Sequence, residues 1–145
     1  KIKTREEAKK RIFAWLYNPE SEDQLSSQAY NREELLEKYW DGNYVKTYFN
    51  REIKADKHHA LNYIIQSTAA DLFLQQMIKV WELLKGKKSK IAFCLHDSLV
   101  IDFSEEDQYI LNELKDTFVN TPLGRFKINA HAGKTYGGMK KLNIN

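Results

Sequence analysis

Apolar residues near the start of the chain fall on one helical face. Ala8, Ile12, Trp15 and Leu16 recur at spacings of three and four. Thr4 with Glu7 three positions on makes a capping box, and Asn18-Pro19 stops the helix after Tyr17. From Glu20 to Gly42 the chain is polar, with one short helix predicted over Arg32 to Tyr39. Tyr44 to Ile53, rich in aromatic and β-branched residues, predicts a short strand pair. Asp56 to Lys85 contains neither Gly nor Pro and predicts a helix of up to about 30 residues, near 45 Å long. Gly86 ends it. Two apolar runs, Ile91 to Leu95 and Leu99 to Phe103, flank His96-Asp97-Ser98 and predict a hairpin with a polar tip. Glu105 to Val119 reads as helix, Pro122 and Gly124 as breakers, and Phe126 to His131 as a last strand. Strands and helices mixed without βαβ regularity predict an α+β fold.

Composition narrows the classes. The chain has 145 residues, 42% of them hydrophobic, and a net charge of +3. No run approaches the roughly 18 apolar residues of a membrane span. No charged-then-apolar leader opens the chain, so a cytoplasmic setting without membrane contact is expected. Cys94 is the single cysteine, which excludes a disulfide framework and a cysteine zinc site. Cations crowd the first helix at Lys1, Lys3, Arg5, Lys9, Lys10 and Arg11, and a later connection at Lys85, Lys87, Lys88 and Lys90. Acids gather at Asp97, Asp102, Glu105, Glu106 and Asp107. Such segregation suits a polyanionic partner, and equally the solvated faces of an ordinary domain.

Three patterns carry candidate chemistry. Arg5, Lys9, Phe13 and Tyr17 stand four residues apart, so they form one drifting helical stripe with two cations first and two aromatic rings last. A nucleoside triphosphate has that polarity, and the N-terminal end of a helix favours its phosphates. On the long helix Asn62 and Gln66 are one turn apart, in phase with His58, while Leu61, Ile65, Thr68 and Leu72 form a neighbouring stripe that can face a core. Paired amides suit base edges in a minor groove, whose acceptors are similar for every base pair. His96-Asp97-Ser98 places a carboxylate on a tight turn between two strands, as a Mg²⁺ ligand requires, but one Asp is half a site. Asp102, five residues on, is a candidate second ligand.

Taken in order, Arg-x3-Lys-x3-Phe-x3-Tyr, then Asn-x3-Gln, then His-Asp between apolar strands, the chain resembles the C-terminal part of family A DNA polymerases, phage replicative members above all. The resemblance runs from about Arg5 to Met139. It implies part of a right-hand fold, with residues 1–43 a fingers portion and residues 44–145 the C-terminal half of the palm. It implies that Arg5 and Lys9 contact the triphosphate of the incoming dNTP, Lys9 being a candidate acid for the leaving pyrophosphate. Phe13 would pack on sugar and base, and Tyr17 would edge the nascent pair. Asn62, Gln66 and His96 would touch the primer-template DNA, and Asp97 would be a catalytic metal ligand, two Mg²⁺ ions being shared with a carboxylate from outside this chain.

The sequence departs from the family pattern in places. Ser98 stands where Glu is frequent after His-Asp, Asn18-Pro19 where Gly often follows the helix tyrosine, and His58 where Arg is usual. The family's first catalytic Asp has no counterpart, so the chain alone is expected to be inactive. An N-terminal polymerase portion, on the same polypeptide or a second chain, would supply that carboxylate. Single-subunit RNA polymerases share the hand shape and can carry His-Asp-Ser, but they tend to have Met at the place of Phe13 and His at that of Gln66. Two other classes compete. A His-Asp metal hydrolase would need further converging ligands, and His58, His59 and His131 form no second adjacent His-Asp pair. A non-catalytic nucleic-acid-binding module would account for the absent carboxylate.

Overall fold

The capping box at Thr4 forms: Glu7 N–H donates to the Thr4 hydroxyl at 3.2 Å, and Thr4 N–H to the Glu7 carboxylate at 3.3 Å. From it runs α1, Arg5–Tyr17. This computed structural model describes residues 4–18 and 20–143, apart from the side chain of Gln28. Lys1, Lys3 and Pro19, which entered the reading of charge and of the helix stop, lie outside the described residues.

The chain divides into two units, residues 1–71 and 72–145. In the first, α1 is followed by α2, Gln24–Ala29, and α3, Arg32–Tyr39. The polar stretch predicted α3 but not α2. Its six residues, QLSSQA, have too little apolar content to announce a helix, and it is held by capping: Asp23 accepts from Ser26 N–H at 3.0 Å while also pairing with Arg11 of α1. The guanidinium bond, and behind it the Ser26 amide, pull the Asp23 carboxyl down to about 2. Strands β1, Tyr44–Lys46, and β2, Glu52–Lys54, pair antiparallel as the aromatic and β-branched run predicts.

Helix α4, Lys57–Leu83, begins in this unit. Asp56 accepts from His59 N–H at 2.9 Å at its start. Its core faces supply Leu61 to a cluster with Trp15 and Leu16, and Ala60 and Ile64 to one with Val45 and Ala55.

The second unit holds the rest of α4, which closes at Gly86 in the left-handed region, φ +75°. At 27 residues it is about 40 Å long, slightly shorter than the sequence predicts. Strands β3, Lys90–Leu95, and β4, Ser98–Asp102, form the expected hairpin. The stretch Glu105 to Val119 is not one helix. A 3₁₀ segment, Glu105–Ile110, precedes α5, Leu111–Val119. Asp107 of that segment is buried and accepts from Ser89 N–H at 2.6 Å, which lowers its carboxyl below the ordinary range. Val80 of α4 and Leu84, just after its end, pack with Ile110 against Ile91, Leu99, Ile101 and Phe118.

Short pairs complete the unit. β5, Asn120–Thr121, pairs with β6, Gly124–Arg125, and β7, Ala130–Ala132, pairs with β8, Lys140–Leu142. The last strand predicted over Phe126 to His131 therefore starts later, because only residues 130–132 find a partner strand. The architecture is α+β, as expected. Among the described residues no helix is long and apolar enough to cross a membrane. The boundary between the units falls inside α4, so compactness gives no sign of a division at residue 43.

Candidate active site

The stripe on α1 forms as a row. Phe13 and Tyr17 stack with centroids 6.2 Å apart and planes 16° from parallel. Lys9 Nζ lies 5.8 Å from the Phe13 ring centroid. Both rings keep a solvent-facing surface, 41% exposed for Phe13 and 44% for Tyr17. The helix needs neither for packing, because Trp15 and Leu16 bury its other face. Arg5 and Lys9 are exposed. The row thus presents a cation followed by two flat apolar surfaces to solvent.

Within the same unit, Gln66 of α4 donates from Nε2 to the Tyr17 hydroxyl at 3.3 Å, tying the end of the row to the long helix. Sequence spacing placed Gln66 and Tyr17 on separate elements and held no signal of this contact. The amide pair is not presented jointly, however. Gln66 is exposed, whereas Asn62 is only 6% exposed, and its Oδ1 is a buried acceptor without a hydrogen-bond partner among the described residues. A one-turn step rotates about 40° around the axis, enough to carry Asn62 onto the buried side with Leu61 and Ile64.

In the second unit, His96 and Asp97 form the two-residue turn between Leu95 and Ser98, and both are exposed. His96 has φ +53°, in the left-handed region that glycine adopts freely and His only at a cost. A hairpin turn of this length requires positive φ at its first position, so the backbone conformation of His96 follows from strand pairing. Asp97 is thereby held on a short rigid support with its carboxylate in solvent. Asp102 is excluded as its co-ligand. It pairs with Lys90 at the opposite end of the hairpin, about 13 Å along the strand from Ser98.

Among the described residues no three His, Cys, Asp or Glu side chains gather to hold a metal ion. The residues present fit Mg²⁺ as one carboxylate of a site that other oxygens must complete. A second His–Asp contact does exist, which adjacency in sequence did not reveal. His59 Nδ1 lies 2.8 Å from Asp56 Oδ1. That carboxylate serves the start of α4, and the pair lowers it below the ordinary range. The lysines after α4 are likewise engaged: Lys85 with Glu82 and the Trp81 ring, Lys87 with Tyr109, and Lys88 with Glu106.

The first unit thus carries an exposed cation-aromatic row, and the second an exposed acid on a strand turn. Comparison with known proteins supplies the family. The sequence profile of DNA polymerase family A matches residues 22–137, and the chain belongs to that family. The match includes Asn62, Gln66, His96 and Asp97, while α1 precedes it. DNA polymerase I of Caldicellulosiruptor bescii is 36% identical over 89 residues, which are 51% of this chain and 10% of that protein. DNA polymerase I of Borreliella burgdorferi is 36% identical over 94 residues, 59% of this chain and 10% of that protein. The chain thus spans about a tenth of the length of these relatives. No solved structure matches it.

Proposed function

We propose that this chain is the fingers-helix and C-terminal palm portion of a template-directed DNA polymerase. It would transfer a nucleotidyl group from a dNTP to a primer 3′-hydroxyl. The exposed row of Lys9, Phe13 and Tyr17 carries the reading, because its order from cation to stacked rings is the order of a nucleotide from phosphate to base. Residues 1–43 serve as fingers and residues 44–145 as palm.

Arg5 and Lys9 neutralise the triphosphate. The primer oxygen bonds to the α-phosphorus, the bond to the bridging oxygen breaks, and pyrophosphate departs with a proton from Lys9. The primer hydroxyl gives its proton to solvent. Phe13 and Tyr17 stack against sugar and base, which holds the reacting phosphorus in place. Gln66 and His96 meet the primer-template, Gln66 through groove acceptors common to all base pairs. Asn62, 6% exposed, joins them through its Nδ2 donor, which the same groove acceptors would take. Asp97 holds divalent metal together with a carboxylate from the N-terminal polymerase portion, whether covalently attached or a separate chain. Bound Mg²⁺, two ions by family precedent, supplies charge neutralisation and a more acidic primer hydroxyl.

The deciding experiment is primer extension by this chain combined with its N-terminal complement. The chain alone should be inactive, the combination active, and Asp97→Asn inactive with duplex binding retained. Activity surviving in Asp97→Asn would defeat the assignment. Binding with no extension by any combination would indicate a non-catalytic module. Preference for ribonucleotides would shift the reading to an RNA polymerase.

A further inference from the structure

Many helices end on a glycine in the left-handed region, which lets following amides turn back onto the last carbonyls. α1 does not. Its C-cap is Asn18 in an extended conformation, φ −112° and ψ 102°, and its last turn contains no basic residue. Some of its terminal carbonyls are met from another helix. Arg32, the first residue of α3, donates from Nη1 to the Asn18 carbonyl at 3.0 Å and from Nη2 to the Trp15 carbonyl.

The same guanidinium lies over the Trp15 indole, 4.4 Å from its centroid. The indole is buried and fixed in turn, its Nε1 donating to Ser27 at 3.1 Å. Arg32 thus grips the chain on both sides of Tyr17, the last member of the exposed row. Burial lowers the pKa of its guanidinium, but an arginine remains charged at any working pH.

We propose that Arg32 is a positioning residue for nucleotide insertion, its forked guanidinium fixing the end of α1 and so the Tyr17 ring. This rests on reading α1 as the nucleotide-binding helix. The planar fork matters, since it reaches two carbonyls at once while its face covers the indole. Without it the Asn18 carbonyl keeps only the Ser21 N–H at 3.1 Å and the Trp15 carbonyl loses its guanidinium donor, so the last turn frays. Tyr17 then loses its register against Phe13 and Gln66, and a misplaced stacking ring weakens the hold on the nucleotide.

The test is single-nucleotide insertion by the complete polymerase that contains this chain, with primer-template affinity measured in parallel. Arg32→Ala should raise KM for the incoming nucleotide about tenfold while duplex Kd changes less than about twofold. Arg32→Lys should recover only part, because an ammonium cannot span both carbonyls and cover the ring. In a Tyr17→Ala background Arg32→Ala should add less than about twofold, since Arg32 acts through that ring.

An unchanged KM in Arg32→Ala, or an equal penalty with and without Tyr17, would overturn the proposal. If Arg32→Ala fails to fold by circular dichroism, Arg32→Lys decides, and a wild-type KM there rejects the role. Lys9→Ala separates the two levels of inference. If it leaves nucleotide KM and rate unchanged, the reading of α1 itself fails, whereas an effect of Lys9→Ala without one of Arg32→Ala removes only Arg32.

Discussion

Asp97 and Lys9 are asked for different things by the proposed chemistry, and their substitutions should separate. Losing the Asp97 carboxylate removes a ligand whose metal is worth several kcal/mol of transition-state stabilisation, so Asp97→Asn should slow insertion by about a thousandfold or more. Lys9→Ala removes a phosphate contact and a proton donor, and should slow insertion by about a hundredfold. Neither should alter primer-template Kd much, and quench-flow insertion with a parallel anisotropy titration reads both quantities. Equal loss of insertion and duplex binding in Lys9→Ala would move that residue from nucleotide to duplex. The placement of these side chains on one helical row and on a hairpin turn was legible in the sequence, because a four-residue spacing and a dipeptide between apolar runs survive any detail of packing. Burial of Asn62 was not legible: the 40° that separates it from Gln66 decides its side of the helix, and only tertiary packing fixes that angle.

At the scale of elements, sequence signals sufficed where structure is local. The capping box of α1, the unbroken run of α4 and the paired apolar strands of the hairpin each carry their own instruction. Elements held from outside were silent. α2 depends on Asp23, and β8 is a Lys-Lys-Leu segment recognisable only through its pairing with β7.

The Arg11–Asp23 pair gives α1 and α2 an acid-sensitive joint. Because the folded Asp23 carboxyl is depressed to about 2, the stability it contributes is present above its unfolded value, about 4, and is lost as pH falls from there toward 2. Denaturant unfolding of wild type and Asp23→Asn should therefore differ at pH 6 and converge near pH 2.

α5 shows the same outside help. Gln76 of α4, only 2% exposed, donates from Nε2 toward the carbonyls of Thr117, Phe118 and Asn120 at 2.7, 3.1 and 2.8 Å. Gln76→Leu should destabilise the fold by about 1–3 kcal/mol in urea unfolding, since those carbonyls have no ready substitute.

For the whole molecule, the surplus of positive charge is small and its placement matters more than its sum. Arg11 is engaged with Asp23 and Arg32 with backbone carbonyls, while Arg5, Lys9 and Lys10 on α1 stay exposed. Duplex binding by the complete polymerase should weaken steeply with salt and show little sequence preference, as phosphate contacts dictate. Titrations of two unrelated duplexes from 50 to about 200 mM salt measure both, and a strong preference for one sequence would indicate a regulator. The turn at His96 has a bearing on this economy of the molecule as well. A bare backbone would rest at φ +53° without strain, so His96→Gly should melt no lower than wild type while extending primers less well. Where durability and output move in opposite directions on one substitution, the imidazole is present for its encounter with the DNA end and not for the fold that carries it.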